Sequence, residues 1–574
     1  MKQDLVKLPI SATPVDLLGD QDKLSAALTR LSSAGSEARG SVYTRSEVVE
    51  AILDMVGYVE SRPLHEMAIL EPSFGAADFL LPVIRRLVAA WKAAGCPEGA
   101  LTEAVRAVEI HGQSHNGAVE TVTEALRQAG VPDEEASAAA NRWLIHDDFL
   151  LARFDREFDF VVGNPPYVRQ EAIDPVLMAT YRSRYATIFD RADLYVPFIE
   201  RSLRLLKTGG SLGFICADRW TKNKYGGPLR KFVSTGFRLV AHVDLTGAQP
   251  FHAEVDAYPA VTVIRRQEPG PATFAHAADL PALGAVARDV AAGLTNHPGI
   301  LSASGSAPWI AGSADQASVL RRLEASLPDL ESAGCRVGIG VATGADKAFI
   351  GDYETMDVEE DRKIPIVMTR DVDTGVIRWR GRGVINPFNP DGGLVNLALY
   401  PRLRSFLEER RDAIEKRHVA RKAPERWYRT IDRIWPELVS KPKILIPDIK
   451  GEPFAVVDEG RFYPHHNLYF VLPGEWEVRA LQTVLSSPIS RFFVSAYSTR
   501  MRGGFLRFQA QYLRRIRLPK WSDVPDDVRA ALIAAASPRQ SPVAREALIS
   551  LYALTDAEFR VIFSEGQESA DRDT

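Results

Sequence analysis

Short apolar runs alternate along the first half of the chain with longer stretches whose apolar positions fall three and four residues apart. Met67 to Leu70, Ala104 to Ile110, Trp143 to His146, Phe158 to Val162, Ser211 to Ala217, Leu239 to Leu245 and Ala260 to Arg265 are of the first kind and read as buried strands. Leu24 to Leu31, the Val48/Val49/Ile52/Leu53/Val56 series, the stretch through Leu87 and Trp91, and Ala118/Val119/Val122/Leu126 are of the second kind and read as amphipathic helices. Asp193 to Lys207 is a further helix that Gly209 and Gly210 are expected to close, and Thr44 or Ser46 is placed to cap the helix that begins near Val48. Strands alternating with helices predict an α/β fold with an open, mostly parallel sheet.

The strands end on polar residues: Glu71, Glu109, Asp148 and Asn164 in succession. In such a sheet the carboxyl ends of the strands share one edge, and ligands bind there. Gly75 and its small neighbours let a ligand approach the turn after Glu71 closely. Three acids without a basic counterpart argue against a phosphate. They suit a ligand with hydroxyls, an exocyclic amine and a positive centre, and S-adenosylmethionine has all three. The plainer reading is that each acid caps the helix that follows it. The fourth strand opens into Asn164-Pro165-Pro166-Tyr167, where two prolines fix φ and remove two backbone donors. A rigid set of acceptors beside a ring suits a flat, amino-bearing ring held for chemistry; a proline turn leaving a core strand is the bland alternative. Later, Gln249-Pro250-Phe251-His252 reads as a loop with an exposed aromatic.

Composition bounds the rest. At 574 residues the chain is too long for one core, so about two to four domains are expected. A net charge of −4 means that any nucleic-acid surface has to be a local patch. No apolar run is long enough for a bilayer, and the amino-terminal residues lack a secretory pattern, so no membrane partner is expected. Cys96, Cys216 and Cys335 are scattered, which fits a reducing cytoplasm and speaks against a cysteine metal site; no metal is expected in the chemistry. Arg491 to Lys520 holds eight Lys/Arg and no Asp/Glu around Tyr497, Phe505, Phe508 and Tyr512, and Arg417 to Arg429 is a second basic cluster with Trp427 and Tyr428. Such patches grip phosphates while nearby loops read base edges; most charge clusters are only solvated faces.

The order of these segments resembles the gamma class of adenine-N6 DNA methyltransferases, in particular its TaqI-like members. Thr44-Arg-Ser-Glu-Val-Val resembles the upstream helix motif, and Leu70-Glu-Pro-Ser-Phe-Gly-Ala-Ala-Asp-Phe79 the cofactor turn. Val108-Glu109-Ile110 and Asp148-Phe149 resemble the next two cofactor motifs, and Asn164 to Tyr167 the catalytic one. Val337 to Lys347, Ile364 to Asp371, Lys443 to Lys450 and Tyr463 to Asn467 resemble the specificity domain. The likeness covers about residues 40 to 520. Ala77 stands where many relatives have a second glycine, and His111 where an aspartate is common.

The resemblance implies a Rossmann-like S-adenosylmethionine-dependent methyltransferase sheet with a carboxyl-terminal mixed α+β target-recognition domain. The expected layout is an arm over 1–40 with no visible chemistry, a catalytic domain over 41–266, a connecting region over 267–325, the target-recognition domain over 326–522 and a helical tail over 523–574. It further implies that Thr44, Glu71, Ser73 and Gly75 hold the methionine end of the cofactor. Glu109 would take the ribose hydroxyls and Asp148 the adenine amine, with Ile110, Phe149 and Pro166 packing on that ring. Asn164 and the Pro165 carbonyl would accept both hydrogens of the target amine, with Tyr167 and Phe251 stacking on the target base. Arg426, Trp427, Arg500, Arg502 and Arg507 are the candidate DNA contacts. Expected partners are double-stranded DNA and a separate cognate restriction endonuclease, with the chain acting as a monomer at the bacterial nucleoid. Two rivals remain: a methyltransferase acting on RNA or protein glutamine, and an inactive DNA-binding specificity protein.

Overall fold

The structure, a computed structural model of the whole chain, describes residues 19–35, 40, 42–253, 258–270, 272–294, 299–302, 305–498, 505–539 and 541–564. The chain divides into two compact units, Met1–Gly312 and Ser313–Thr574.

The first unit is built on a ten-stranded sheet. Its strands are β1 (Ile69–Glu71), β2 (Val105–Glu109), β3 (Leu144–His146), β4 (Phe158–Gly163), β5 (Leu206–Ala217), β6 (Arg238–Asp244), β7 (Pro259–Arg265), β8 (Thr273–His276), β9 (Gly299–Ser302) and β10 (Ile310–Gly312), in the order β10-β9-β8-β6-β7-β5-β4-β1-β2-β3. The block β5-β4-β1-β2-β3 is parallel throughout, so the ends of β1 to β4 lie along one edge. β7 runs antiparallel between β5 and β6.

The helices are α1 (Gly19–Ser32), α2 (Ser46–Val56), α3 (Leu80–Ala93), α4 (Gly112–Gln128), α5 (Asp133–Trp143), α6 (Pro175–Arg184), α7 (Tyr195–Arg204), α8 (Gly227–Gly236) and α9 (Leu280–Ala291). They cover both faces of the sheet. Ile69, Val105, Ala107, Phe160 and Val162 point into a core shared with α2 to α5. Leu70, Val108 and Val161 point into a second core shared with α6 and α7. This alternation is the period of two that a doubly covered strand requires.

In the extent and capping of its elements the structure departs from the sequence reading in three places. The helix at Tyr195 ends at Arg204, and Gly209 and Gly210 lie inside β5 instead of closing it; β5 already pairs with β4 at Leu206, and sheet pairing outcompetes a helix stop there. Neither Thr44 nor Ser46 caps α2, whose N-cap is Arg45 with no side-chain cap. Within the stretch read as a connecting region, β8, α9, β9 and β10 extend the sheet of the first unit, and a further helix, Ala314–Ser326, opens the second.

The second unit contains two four-stranded sheets. One has the order β11-β19-β15-β17, from Arg336–Ile339, Leu468–Leu472, Lys443–Pro447 and Val456–Asp458. The other has the order β12-β14-β13-β18, from Ile350–Asp352, Arg382–Ile385, Lys363–Val367 and Tyr463–Pro464. β16 (Ile449–Lys450) pairs with β20 (Leu506–Arg507). Helices Asp526–Ala534, Arg545–Tyr552 and Asp556–Ser564 follow. Among the described residues no helix is long and apolar enough to cross a membrane.

Candidate active site

A pocket of about 340 Å³ opens at the carboxyl edge of β1 to β4. Thr44, Glu71, Ser73, Gly75, Glu109, Ile110, Asp148, Phe149, Asn164 and Pro166 all line it. Pro165, Tyr167 and Phe251 are not among the lining residues.

Most polar groups of the site are held by their neighbours. The Gly75 amide donates to Glu109 Oε2 (3.0 Å) and the His111 amide to Oε1 (2.8 Å), so the carboxylate at the end of β2 locks the turn after β1. Gly75 takes φ +53° in that turn, and Ala77 takes φ +71°. Ala77 therefore occupies a left-handed conformation that glycine adopts without strain, which accounts for the glycine common at this place in the resembling sequences. Glu71 is buried, and its Oε2 has no hydrogen-bond partner. Burial, with Asp78 and Glu109 nearby, pushes its carboxyl well above the usual carboxylate range. Burial likewise raises Asp148. Asp148 Oδ1 accepts from the Leu150 amide (2.7 Å) and Oδ2 from the Tyr181 hydroxyl of α6.

The Asn164 side chain is oriented from one side. Its Nδ2 donates to the Val42 carbonyl (3.0 Å) and to Thr44 Oγ1 (3.1 Å), while Oδ1 is buried with no partner. Ser73 Oγ donates to the Asn164 carbonyl (3.1 Å), which ties the proline turn to the turn after β1. Thr44 is fixed in turn, its amide donating to Asp78 Oδ2 (2.8 Å). The Thr44 hydroxyl thus supports Asn164 as well as lining the pocket.

The same segment brings in a distant loop. Thr44 and Phe251 form an antiparallel bridge, the Arg45 amide donates to the Pro250 carbonyl (3.0 Å) and the His252 amide to the Tyr43 carbonyl (3.1 Å). Phe251 is consequently buried and not exposed, with its ring centroid 6.1 Å from that of Tyr167 at an interplanar angle of 82°. The Tyr167 amide donates to the Gly40 carbonyl (3.2 Å). A Cβ at Gly40 would stand 2.6 Å from the Tyr167 carbonyl, so this crossing needs glycine.

Sequence reasoning missed several of these parts. Asp78 lies at the end of the quoted cofactor turn, and a fourth acid there was the available signal. α1, read as part of an arm without chemistry, contributes Ala27, Arg30 and Leu31 to the pocket wall. Arg30 pairs with Asp174 of the same wall (2.6 Å), so the pocket does have a basic residue, already matched. Tyr181 gave no local signal, because its partner Asp148 is distant in sequence.

The residues fit S-adenosylmethionine on chemical grounds. The wall combines buried acids suited to a sulfonium and an amine with apolar groups (Ile110, Pro166, Leu177, Phe198) suited to a ring. The unpartnered Glu71 Oε2 and Asn164 Oδ1 would otherwise be costly buried acceptors.

The candidate DNA contacts of the second unit fare unevenly. Trp427 is buried in a core cluster with Phe349, Leu403 and Leu407, so it belongs to packing and is corrected as a surface contact. Its neighbour Arg417 is also buried, donating to the Thr343 and Trp427 carbonyls. Arg426 is exposed. Arg507 forms an ion pair with Asp448. Arg500 and Arg502 lie outside the described residues.

Comparison with known proteins agrees with this architecture. Residues 20–251 match the family described as Eco57I restriction-modification methylase, and residues 405–518 the TaqI-like C-terminal specificity domain. Type II methyltransferase M.PaeR7I of Pseudomonas aeruginosa is 52% identical, over 95% of this chain and 97% of its own. Type II methyltransferase M.XhoI of Xanthomonas vasicola is 51% identical, over 92% and 99%. Among solved structures, the type IIL restriction-modification enzyme MmeI in complex with DNA shares the fold, with TM-score 0.57, 11% identity and coverage of 91% of this chain and 77% of that one. The buried acids at the sheet edge and a curated relative spanning nearly the whole chain lead to one conclusion: the protein belongs to the type II restriction-modification methyltransferases, site-specific DNA methyltransferases that use S-adenosylmethionine.

Proposed function

We propose that this enzyme methylates the N6 amine of an adenine flipped out of duplex DNA, and that the mark protects host DNA from a separate cognate endonuclease. The observation that carries the reading is the Asn164 amide. Its nitrogen is committed to Val42 and Thr44, so its oxygen is a fixed, buried acceptor without a donor. An exocyclic amine supplies that donor. The neighbouring Pro165 carbonyl is the natural second acceptor, since two successive prolines hold the turn stiff.

An adenine amine is a weak nucleophile because its lone pair is delocalised into the ring. Two acceptors gripping its hydrogens favour a pyramidal nitrogen and aim the lone pair, which is positioning combined with electrostatics. S-adenosylmethionine, held by Glu71, Glu109 and Asp148, would supply an electrophilic methyl to that lone pair, with its sulfur as the leaving group. The proton leaves the amine after transfer, so no strong base is needed beforehand. Glu71 is the residue for the cofactor's methionine end, Glu109 for the ribose hydroxyls, and Asp148 for the adenine amine in exchange for its Tyr181 contact.

Duplex DNA buries the amine, so the base has to leave the stack. Tyr167 and Phe251 are the residues to hold it, each stacked ring being worth about 1–3 kcal/mol. Their edge-on packing at 82° has to open for a base to enter between parallel faces. Arg426, Arg507 and the basic stretch from Arg491 to Lys520 are proposed to contact the DNA backbone, and one copy of the chain is proposed to suffice.

The test is to express the chain in a methylation-free host and analyse the DNA by nucleoside mass spectrometry and single-molecule sequencing. N6-methyladenine in one short motif, absent with Asn164→Ala, is expected. Methylated cytosine, or methyl transfer to RNA or protein alone, would overturn the reading.

A further inference from the structure

The second unit holds a cluster of ligating side chains apart from the methyltransfer chemistry. β18 ends at Pro464, and the chain continues through His465 and His466 into β19. His465 bridges in parallel to Val341, and the His466 amide donates to the Val341 carbonyl (3.1 Å). This pairing lays the two histidines against the loop that carries Asp346. Gly340 permits it, since a Cβ there would stand 2.3 Å from the His465 carbonyl oxygen.

One ligand atom from each of Asp346, His465 and His466 lies within 4.8 Å of the others. Asp346 Oδ2 is 2.9 Å from His465 Nε2, the imidazole ring centroids are 4.0 Å apart, and Thr343 donates to Asp346 Oδ1 (2.5 Å). Hydrogen bonding inside the protein does not fully account for the pair, because Nδ1 of both rings is buried without a partner. His465 is only 2% exposed, so an unpartnered ring nitrogen there has little access to solvent. Asp346 brings a carboxylate, oriented by the Thr343 hydroxyl. His466 and Asp346 also line a pocket with Gly344 and Lys347, which leaves room for water or an anion on any position that the protein does not fill.

We propose that Asp346, His465 and His466 bind one divalent transition-metal ion. Two imidazoles and one carboxylate form a donor set shared by zinc and ferrous ions, with open positions remaining. The ion would pin the 341–346 loop to the turn before β19.

The experiment uses untagged full-length protein, first analysed for bound zinc and iron by elemental analysis, then stripped with chelator. Titration with Co2+ is expected to give visible d–d absorption saturating at one ion per chain, displaced by Zn2+, and ion binding should raise the melting temperature. His466→Gln and Asp346→Asn are each expected to weaken binding about 10–100-fold, and His465→Gln/His466→Gln to abolish it. The metal-free variants should melt close to the metal-free wild type, which separates loss of a ligand from misfolding. Absence of stoichiometric binding by the wild type, or equal binding by the double variant, would overturn the proposal. Elemental analysis and relative affinities decide between zinc and iron.

Discussion

The buried charged groups of the two units behave differently. At the carboxyl edge of the first sheet, polar groups are buried with atoms to spare: the Glu71 Oε2, the Asn164 Oδ1 and the Tyr167 hydroxyl have no partner. In the second unit the conspicuous buried charges are matched internally. Lys443 and Asp458, both fully buried, pair at 2.8 Å, and Lys443 also donates to the carbonyls of Leu438, Val439 and Lys441. Arg417 spends its guanidinium on three carbonyls. A buried polar group that the fold satisfies stabilises one conformation; one left unsatisfied in a pocket wall is a place where a ligand can supply the missing partner. Among the described residues of the second unit, the Asp346–His465–His466 cluster gathers two such unpartnered atoms beside a carboxylate.

Substitutions can break this contrast. Asn164→Ala removes the waiting acceptor, and methyl transfer is expected to fall by at least about 10²–10³-fold in single-turnover assays. Cofactor affinity, measured by calorimetry, should stay within a few fold. Lys443→Met instead leaves Asp458 buried without its cation and is expected to cost about 3–5 kcal/mol in denaturant unfolding of the second unit. Three backbone amides, those of Gly460, Arg461 and Phe462, still donate to Asp458, which places the loss at the lower end.

Glu71→Gln joins both sides of the comparison. It should lower cofactor affinity about tenfold or more, yet stabilise the cofactor-free protein at neutral pH, because a raised carboxyl pKa marks a charge that folding disfavours. The folded chain holds a proton that the unfolded chain releases above about pH 4.3. That stabilisation is complete below the unfolded value and fades as pH rises through the raised one. The melting temperature of the cofactor-free wild type is therefore expected to fall more steeply with rising pH than that of Glu71→Gln.

Thr44→Val removes one acceptor from Asn164 Nδ2 while preserving shape. Transfer should drop about tenfold with little change in cofactor binding, since each such hydrogen bond is worth about 1 kcal/mol. A change confined to cofactor affinity would return Thr44 to the role expected from the sequence. The smallest effect belongs to exposed Arg426: Arg426→Ala should weaken DNA binding a few fold and reduce the salt dependence by about one phosphate contact. Folding stability should be unaffected.

The layout of the first sheet from β1 to β7 was legible in outline from the residues alone. Strand ends at Glu71, Glu109, Asp148 and Asn164 were legible because each is a local event, an apolar run meeting a polar turn. The parallel order of β4-β1-β2-β3 then gathers them at one edge. The proline turn was legible because two prolines restrict the backbone wherever they stand. Which atoms stay free depends instead on contacts between distant segments. Thr44 gained a supporting role because Asn164, 120 residues away, meets its hydroxyl. Tyr181 met Asp148, and Phe251 was drawn into the core by a bridge to Thr44. In the second unit, Arg417 and Trp427 looked like surface because a cluster of basic and aromatic residues reads the same whether it faces solvent or packs inward. Composition and period record which residues can be buried or paired; the atom that pairs is a long-range outcome, fixed when distant segments close on one another.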